Sequence, residues 1–267
     1  SSKGIFVQKF ERKLQDITKS KNVIAVISGT AALHLAMRAI NLKRNEEVLI
    51  PAFNYIASAN SVIYCGGIPH FVDIEKESLG IDVEKLKIYL SKMCSYKNGK
   101  TVNKKTNRRI KAIIPMHVFG HPSKIKEIKK IAKDYKLDLI EDAAEALGSL
   151  YNDKHVGTFG KIGILSFNGN KIITTGQGGI IVTNDDKVHL RLRELKDQGR
   201  PNQYETSLAK LQASETAVHA ANECMKIYGS YGYSTEYPAE RLYRDAKSLQ
   251  VVEGTSNVQK LIISGIA

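Results

Sequence analysis

Over the first two hundred residues, apolar and polar positions follow two alternating rhythms. Short, nearly continuous apolar runs mark strand candidates: EEVLIPA (46–52), GIPHFVDI (67–74), IKAIIPMHV (110–118), LDLIEDA (137–143), GILSFN (163–168) and GGIIVT (178–183). Between several of them the spacing becomes that of an amphipathic helix, in TAALHLAMRAI (30–40), NYIASANSVIYC (54–65) and PSKIKEIKKIAKDYK (122–136). Strands alternating with helices predict an α/β fold, a largely parallel sheet with helices on both faces. Such sheets bind ligands beyond the C-terminal ends of their strands, so chemistry is sought there.

After about residue 205 no strand rhythm survives. SLAKLQASETAVHAANECMKIYG has helical spacing and ends at a glycine, and EYPAERLYRDAKSLQVV follows with Pro238 near a helix start. TSNVQKLIISGIA then opens on a threonine cap. The tail is expected to be all-α.

A chain of 267 residues and 29.6 kDa has room for one large domain or two modest ones. Its 42% hydrophobic and 25% charged content is that of a soluble globular protein. No run approaches the ~20 apolar residues a membrane span requires. The start, SSKGIFVQKFERKL, has no apolar signal region and reads as the inside of a protein. Three scattered cysteines, Cys65, Cys94 and Cys224, argue against a disulfide framework and a structural zinc site. They point to a reducing cytoplasm, and no metal is expected.

The formal charge of +13 raises the question of nucleic acid. Much of the surplus is lysine on outer helix faces, as in KIKEIKKIAKDYK. The densest patch, Lys97 to Lys111, has no aromatic among its charges and so lacks the stacking pattern of single-strand binders. A solvated loop, an anion-facing loop near a substrate and a nucleic-acid contact stay open, in that order. No nucleic-acid or membrane partner is expected.

Four features carry chemistry. SGTAALHLAM (28–37) is a small-residue turn entering a helix, where Gly29 permits close backbone approach and Thr30 adds a hydroxyl. The first amides of that helix suit a dianionic phosphate, or the segment is an ordinary capped helix. IPAFNYIASAN (50–60) puts aromatics at a strand-to-helix turn, and Tyr55, ahead of Phe53, can stack on a planar ring or simply join the core. LDLIEDAAEALGS ends a buried strand in Glu141 and Asp142. A carboxylate there is costly unless hydrated or paired, and Asp142 can hold a ring nitrogen protonated or cap a helix. GILSFNGNKIITTGQGGIIVTN places Lys171 in a turn between two strands, with Ser166 on the strand before it. Partial burial beside a cationic group would free the Lys171 amine as a nucleophile, although a surface lysine is the bland alternative. Together they answer the needs of pyridoxal 5'-phosphate (PLP): phosphate, ring face, ring nitrogen and aldehyde.

From about Ser1 to Arg193 the chain resembles the DegT-type nucleotide-sugar aminotransferases, a branch of fold-type I PLP enzymes, through SGTAALHLA, PAFNYIASAN, EDAAEALGS and SFNGNKIITTGQGG. NKKTNRRIKAIIPMHVFGHP resembles the subgroup making precursors of bacillosamine- and legionaminic-acid-type sugars. The resemblance implies a three-layer, mixed, mostly parallel sheet over residues 1–196 as the PLP-binding large domain, without the usual small domain after it. Lys171 would be the Schiff-base lysine and proton carrier. Asp142 would pair with the pyridine nitrogen, Gly29, Thr30 and Ser166 would hold the phosphate, and Tyr55 would stack on the ring. Glu145 falls near the cofactor's 3-hydroxyl, where many relatives carry Gln. The implied reaction passes an amino group from an amino acid, L-glutamate, to a nucleotide-linked 4-keto-6-deoxy sugar, in a homodimer with sites at the subunit interface.

Residues 197–267 are instead similar to the C-terminal helices of acyl-CoA dehydrogenases, through ETSLAKLQASETA, IYGSYGYSTEYPAERLYRDAK and VVEGTSNVQKLI. That resemblance puts Glu253 at the base position, Gly254 and Thr255 beside a flavin, and Lys226 where Gln is common. FAD would be expected only with a complete dehydrogenase. The change of family falls within residues 190–206, and a chimera of two genes, catalytic or not, is the expected origin.

Overall fold

The computed structural model describes residues 4–97, 99–197, 203–252 and 255–265. It has two compact units, Ser1–Gln198 and Gly199–Ala267. In the first, the chain runs α1 (Ile5–Thr18), β1 (Asn22–Val26), α2 (Gly29–Ala39), β2 (Glu47–Pro51), α3 (Ile56–Tyr64), β3 (Ile68–Val72) and α4 (Val83–Met93). A hairpin of β4 (Cys94–Lys97) and β5 (Lys100–Asn103) precedes β6 (Ile110–Ile113), α5 (Ile125–Asp134) and β7 (Asp138–Asp142). A second hairpin, β8 (Leu150–Tyr151) and β9 (Lys154–His155), leads to β10 (Ile162–Ser166), β11 (Gly179–Thr183) and α6 (Asp186–Asp197).

Seven strands form one sheet in the order β1-β11-β10-β7-β6-β2-β3. β10, β7, β6, β2 and β3 pair in parallel, while β11 runs antiparallel to both β10 and β1. Side chains alternate across each strand, and this decides the two cores. On one face Ile50, Ile140, Ile164 and Ile181 meet Ala36 and Met37 of α2, Val62 of α3 and Leu192 of α6. On the other, Leu49, Leu139, Leu165 and Ile180 meet Leu14 of α1, Leu90 of α4 and Ile128 of α5. The result is three layers, with the helices on both faces that the pattern predicts and the mixed, mostly parallel sheet that the resemblance implies. In α5 the buried Ile125, Ile128 and Ile131 alternate with exposed Lys126, Lys129, Lys130 and Lys133, so this part of the positive charge is a solvated face.

The structure also adds elements and trims others. NVIAV forms the edge strand β1, and α1 and α4 flank the sheet, none of them among the predicted elements. The run 110–118 is a strand only to Ile113. Pro115 lacks the N–H to continue the ladder, and pairing resumes as an isolated bridge from Met116 to Asp142. β8 and β9 are joined by Asn152 and Asp153, both at positive φ (48° and 60°), the two-residue turn those residue types favour.

The basic segment 97–111 is not a simple solvated loop. It begins as the β4–β5 hairpin, Arg109 pairs with Glu46 at 3.0 Å, and Lys111 pairs with Asp138 at 2.7 Å. Its anchor is Glu47, 1% exposed at the start of β2. Glu47 Oε1 accepts the Thr106 hydroxyl at 2.6 Å, and Oε2 accepts Asn103 Nδ2 at 2.9 Å and faces His70 Nδ1 at 3.2 Å. Burial alone would raise this carboxyl, but hydrogen bonds from His70, Thr106 and Asn103 outweigh it and hold the pKa below its usual value. Glu47 opens its strand, so the hairpin hangs from the N-terminal edge of the sheet, opposite the edge where ligands are expected.

The second unit is helical in its described residues: α7 (Gln203–Tyr228), a short 3-10 helix at Gly229–Tyr233, α8 (Ala239–Leu249) and α9 (Ser256–Ser264). α7 turns off at Gly229, whose φ is 59°, and packs with α8 and α9. A side chain at Gly232 would meet the Met225 carbonyl oxygen at 2.6 Å, so only glycine lets that turn fold back on α7.

Glu47→Ala removes the acceptor shared by Asn103, Thr106 and His70, at a cost of about 1–3 kcal/mol for each buried group left unsatisfied. Trypsin is expected to cut at Lys97, Lys100 and Lys104 faster than in the parent chain. An unchanged digestion pattern would show that the hairpin is held by something else.

Candidate functional site

Two consecutive carboxylates end β7, and the strand's alternation sends them to opposite faces. Glu141 is fully buried on the α1–α4–α5 side. Its Oε1 accepts the amides of Phe159 at 2.6 Å and Gly160 at 2.5 Å. Its Oε2 accepts the Gly157 amide at 2.8 Å and lies 3.1 Å from His117 Nε2. His117 Nδ1 accepts the Ser123 amide at 3.2 Å, so the ring hydrogen sits on Nε2 and points at Glu141. Four donors saturate this carboxylate, and its role is to close the 157–160 loop.

Asp142, 3% exposed, faces α2 and α3. Oδ2 accepts the Ser58 hydroxyl at 2.6 Å and Oδ1 accepts the Ala144 amide at 3.2 Å. Burial pushes its pKa up, opposed by the Ser58 and Ala144 hydrogen bonds and by the charge of Lys171. A carboxylate has about four acceptor positions, so two donors leave it able to take another partner.

Lys171 lies in the loop between β10 and β11. The loop is closed at its base by the Phe167 amide on Gly178 O (2.9 Å) and by Thr175 N on Phe167 O (3.0 Å). Phe167 itself is 1% exposed and fixes this base in the core. The Lys171 side chain is only 10% exposed, and its Nζ donates to Glu145 Oε1 at 2.8 Å. The same nitrogen sits 5.6 Å from the centre of the Tyr55 ring. Glu145 Oε2 in turn accepts the Phe119 amide at 3.2 Å. Phe119 is a bulky residue at φ 49° and ψ 28°, a conformation usually left to glycine.

At the mouth of α2, Ser28 caps the helix: its hydroxyl accepts the Ala31 amide at 3.1 Å and its carbonyl the Ala32 amide at 3.0 Å. The amides of Gly29 and Thr30 keep no partner among the described residues, which suits an anion. A side chain at Gly29 would meet Ser166 Cβ at 3.0 Å and Oγ at 3.1 Å, and one at Gly179 would lie 2.3 Å from the Ser28 carbonyl. The Ser28–Gly29 peptide is therefore wedged between the ends of β10 and β11, beside the Ser166 hydroxyl.

The structure thus brings Lys171, Glu145 and Tyr55 into one contact group, and Gly29 and Ser166 into another, with Asp142 on β7 in register with Ile164 of β10, the strand that leads into the Lys171 loop. Sequence reasoning passed over Ser58, His117 and Phe119. For Ser58 the one available signal was a hydroxyl on the inward side of the otherwise apolar IASAN turn. In the tail, Glu253 and Gly254 lie outside the described residues. Thr255 caps α9 by accepting the Val258 amide at 3.4 Å, and Lys226 pairs with Glu223 at 2.6 Å on the exposed face of α7.

Comparison with known proteins adds to this geometry. Residues 1–226 match the DegT/DnrJ/EryC1/StrS aminotransferase family, and residues 188–266 match the acyl-CoA dehydrogenase C-terminal domain. The GDP-perosamine synthases of Vibrio cholerae and Escherichia coli O157:H7 are 39% and 41% identical over 199 residues, 74% of this chain and 50% of each relative. The chain spans about half the length of the curated relatives it matches. Among solved structures, the aminotransferase from Psychrobacter cryohalolentis superposes with a TM-score of 0.65 at 32% identity, covering 74% of this chain and 46% of that one. The ntda protein of Bacillus subtilis, solved with bound cofactor PMP, gives 0.60 at 30% identity, over 72% and 40%. Motif, fold and similarity agree over the sheet unit, and the chain belongs to the DegT/DnrJ/EryC1/StrS aminotransferase family.

Proposed function

We propose that residues 1–196 are the cofactor-binding half of a PLP-dependent aminotransferase that places an amino group on a nucleotide-linked 4-keto-6-deoxy sugar. One observation carries the reading: a nearly buried amine set against an aromatic face follows β10, and a buried carboxyl with spare acceptor capacity ends the neighbouring parallel strand β7, at the same C-terminal edge of the sheet. The residues present fit the cofactor. The wedge at Ser28–Gly29 leaves two amides and the Ser166 hydroxyl for a phosphate, which the Thr30 hydroxyl completes. Tyr55 offers the ring face, Glu145 the contact to the 3-hydroxyl, and Asp142 the anion opposite the ring nitrogen.

When bound, PLP supplies an electron sink for a deprotonated substrate carbon. Lys171 would hold the cofactor through its Nζ, and that nitrogen is the base that would take the substrate proton and return it. Glu145, at 2.8 Å, keeps that amine aimed across the Tyr55 ring. The donor we assign is L-glutamate. The relatives named as synthases of GDP-perosamine, a nucleotide-linked sugar, support the substrate class. Exposed Phe53, Ile56, Ile63 and Tyr64 on and before α3 give apolar surface for a second copy, supporting a homodimer. The three free cysteines favour a reducing compartment such as the cytoplasm.

A second reading concerns the tail, residues 197–267, as a dehydrogenase-type segment acquired by fusion. Its match is to the C-terminal domain of that family alone. Purified protein carrying a flavin spectrum would favour it over the PLP reading.

With PLP added, the parent chain is expected to show the visible absorbance of a lysine-bound cofactor, and Lys171→Ala to abolish it. A parent chain that shows no such band would sink the proposal. The cofactor-free protein gives a second expectation. A group whose folded pKa is raised contributes its stability in full below its ordinary pKa, and loses it as pH rises through the raised value. Asp142 is such a group. Asp142→Asn should therefore raise the unfolding midpoint of the cofactor-free chain at neutral pH, less so in acid, while weakening PLP retention. A lowered midpoint at neutral pH would mean that the carboxylate's hydrogen bonds outweigh its burial.

A further inference from the structure

We infer that Ser58 is a positioning residue, whose hydroxyl fixes the plane of the Asp142 carboxylate and keeps it aimed at the ring nitrogen of the cofactor. This rests on the reading of the site given above, and extends it to a residue of α3 that touches neither substrate nor cofactor.

A serine inside a helix ordinarily turns its hydroxyl back onto a carbonyl one turn earlier. Ser61 does so, donating to Ser58 O at 2.8 Å. Ser58, 1% exposed on the same helix, does not. Its amide already donates to Tyr55 O at 3.1 Å, and its hydroxyl reaches instead to Asp142 Oδ2 at 2.6 Å, 84 residues away in sequence. That length is in the range of hydrogen bonds to a charged acceptor, which are shorter and about twice as strong as neutral ones.

The other end is equally constrained. The Asp142 amide donates to Pro115 O at 2.9 Å and its carbonyl accepts the His117 amide at 3.0 Å, so the backbone is fixed and only the side-chain torsions remain. Ala144 N–H holds Oδ1 and Ser58 holds Oδ2. With one donor on each oxygen, rotation of the carboxylate breaks at least one bond. The remaining lone pairs keep a constant direction. The first turn of α3 thus supplies both the ring beside Lys171, from Tyr55, and the clamp on the carboxylate, from Ser58.

Removal of the hydroxyl has two consequences. The carboxylate gains freedom to turn, and it loses a donor that favours its charged form. The His117 ring is turned to Glu141 on the other face, so what still favours the charged form is the Ala144 amide and the charge of Lys171 in the β10–β11 loop. Protonation of Asp142 becomes easier, so the pH below which the cofactor is released should move upward.

The test uses the full chain and a titration with PLP followed by visible absorbance across pH. Ser58→Ala is expected to weaken PLP binding by about tenfold or more, the worth of one hydrogen bond to a charged group. The acid limb of binding should shift to higher pH, and Ser58→Thr should restore both. In an Asp142→Asn background, Ser58→Ala should add little, which a general packing defect would not predict. Should Ser58→Ala fail to fold, judged by its cofactor-free melting curve, Ser58→Cys keeps the volume with a weak donor and carries the same comparison. A Lys171-dependent band in the parent with equal affinity and an unmoved acid limb in Ser58→Ala overturns the inference. A parent without that band overturns the site assignment, and this inference with it.

Discussion

The tip of β7 holds two ionisable groups side by side in a chain segment with almost no access to water, a placement that costs several kcal/mol unless each charge is met. The strand's alternation separates the two problems. Glu141 is met entirely by protein, through three backbone amides and His117, and the loop that supplies those amides folds directly over β10. A side chain at Gly163 would lie 1.8 Å from the Gly157 carbonyl oxygen, which shows how closely the loop is drawn down. Asp142, on the other face, receives only two donors and keeps a raised pKa. The saturated carboxylate holds the frame within which the unsaturated one is left available.

The remaining groups of the site reach that frame from separate loops, and each approach has its own steric licence. The α2 turn comes in against β10 and β11 because Gly29 and Gly179 carry no side chain. The Lys171 loop is pinned by the buried Phe167, so a flexible side chain starts from a rigid base. His117 links the two faces: its ring bonds Glu141, its amide bonds the Asp142 carbonyl, and the turn that follows it delivers the Phe119 amide to Glu145. The left-handed Phe119 is the local strain in this route, and such strain persists where surrounding contacts over-determine it.

Much of this was legible in the sequence because the signals were local. Six apolar runs reappear as strands, and Lys171, Asp142, Tyr55, Gly29 and Ser166 fall at strand ends that a parallel sheet necessarily brings to one edge. What escaped depends on contacts distant in sequence. β1, NVIAV, is as apolar as the predicted runs, but it is only five residues long and shows itself a strand through its pairing with β11. The β4–β5 hairpin reads as a polar, basic loop because its anchor, Glu47, lies some fifty residues earlier and its partners are Asn103 and Thr106. Ser58 looks like one more small residue in an apolar helix until β7 is set beside it. For Glu145, the family pattern pointed to a cofactor contact, whereas the carboxylate's pairing with Lys171 depends on the fold of the β10–β11 loop.

The two family matches overlap across residues 188–226, so similarity alone leaves α6 and α7 with two claims. Burial separates them. Val188 and Leu192 of α6 lie in the core beneath α2, and Arg193 bonds Glu11 at 3.0 Å and the Val23 carbonyl at 3.3 Å, tying α6 to α1 and β1. These are the contacts of a helix that completes the sheet unit. α7, by contrast, packs with α8 and α9, and Ser256 of α9 donates to Glu215 of α7 at 2.8 Å. A helix belongs to the unit in which its apolar side is buried, whichever family its residues also resemble. On that criterion α6 is the last element of the sheet unit and α7 the first of the helical unit, although the aminotransferase family match continues into α7.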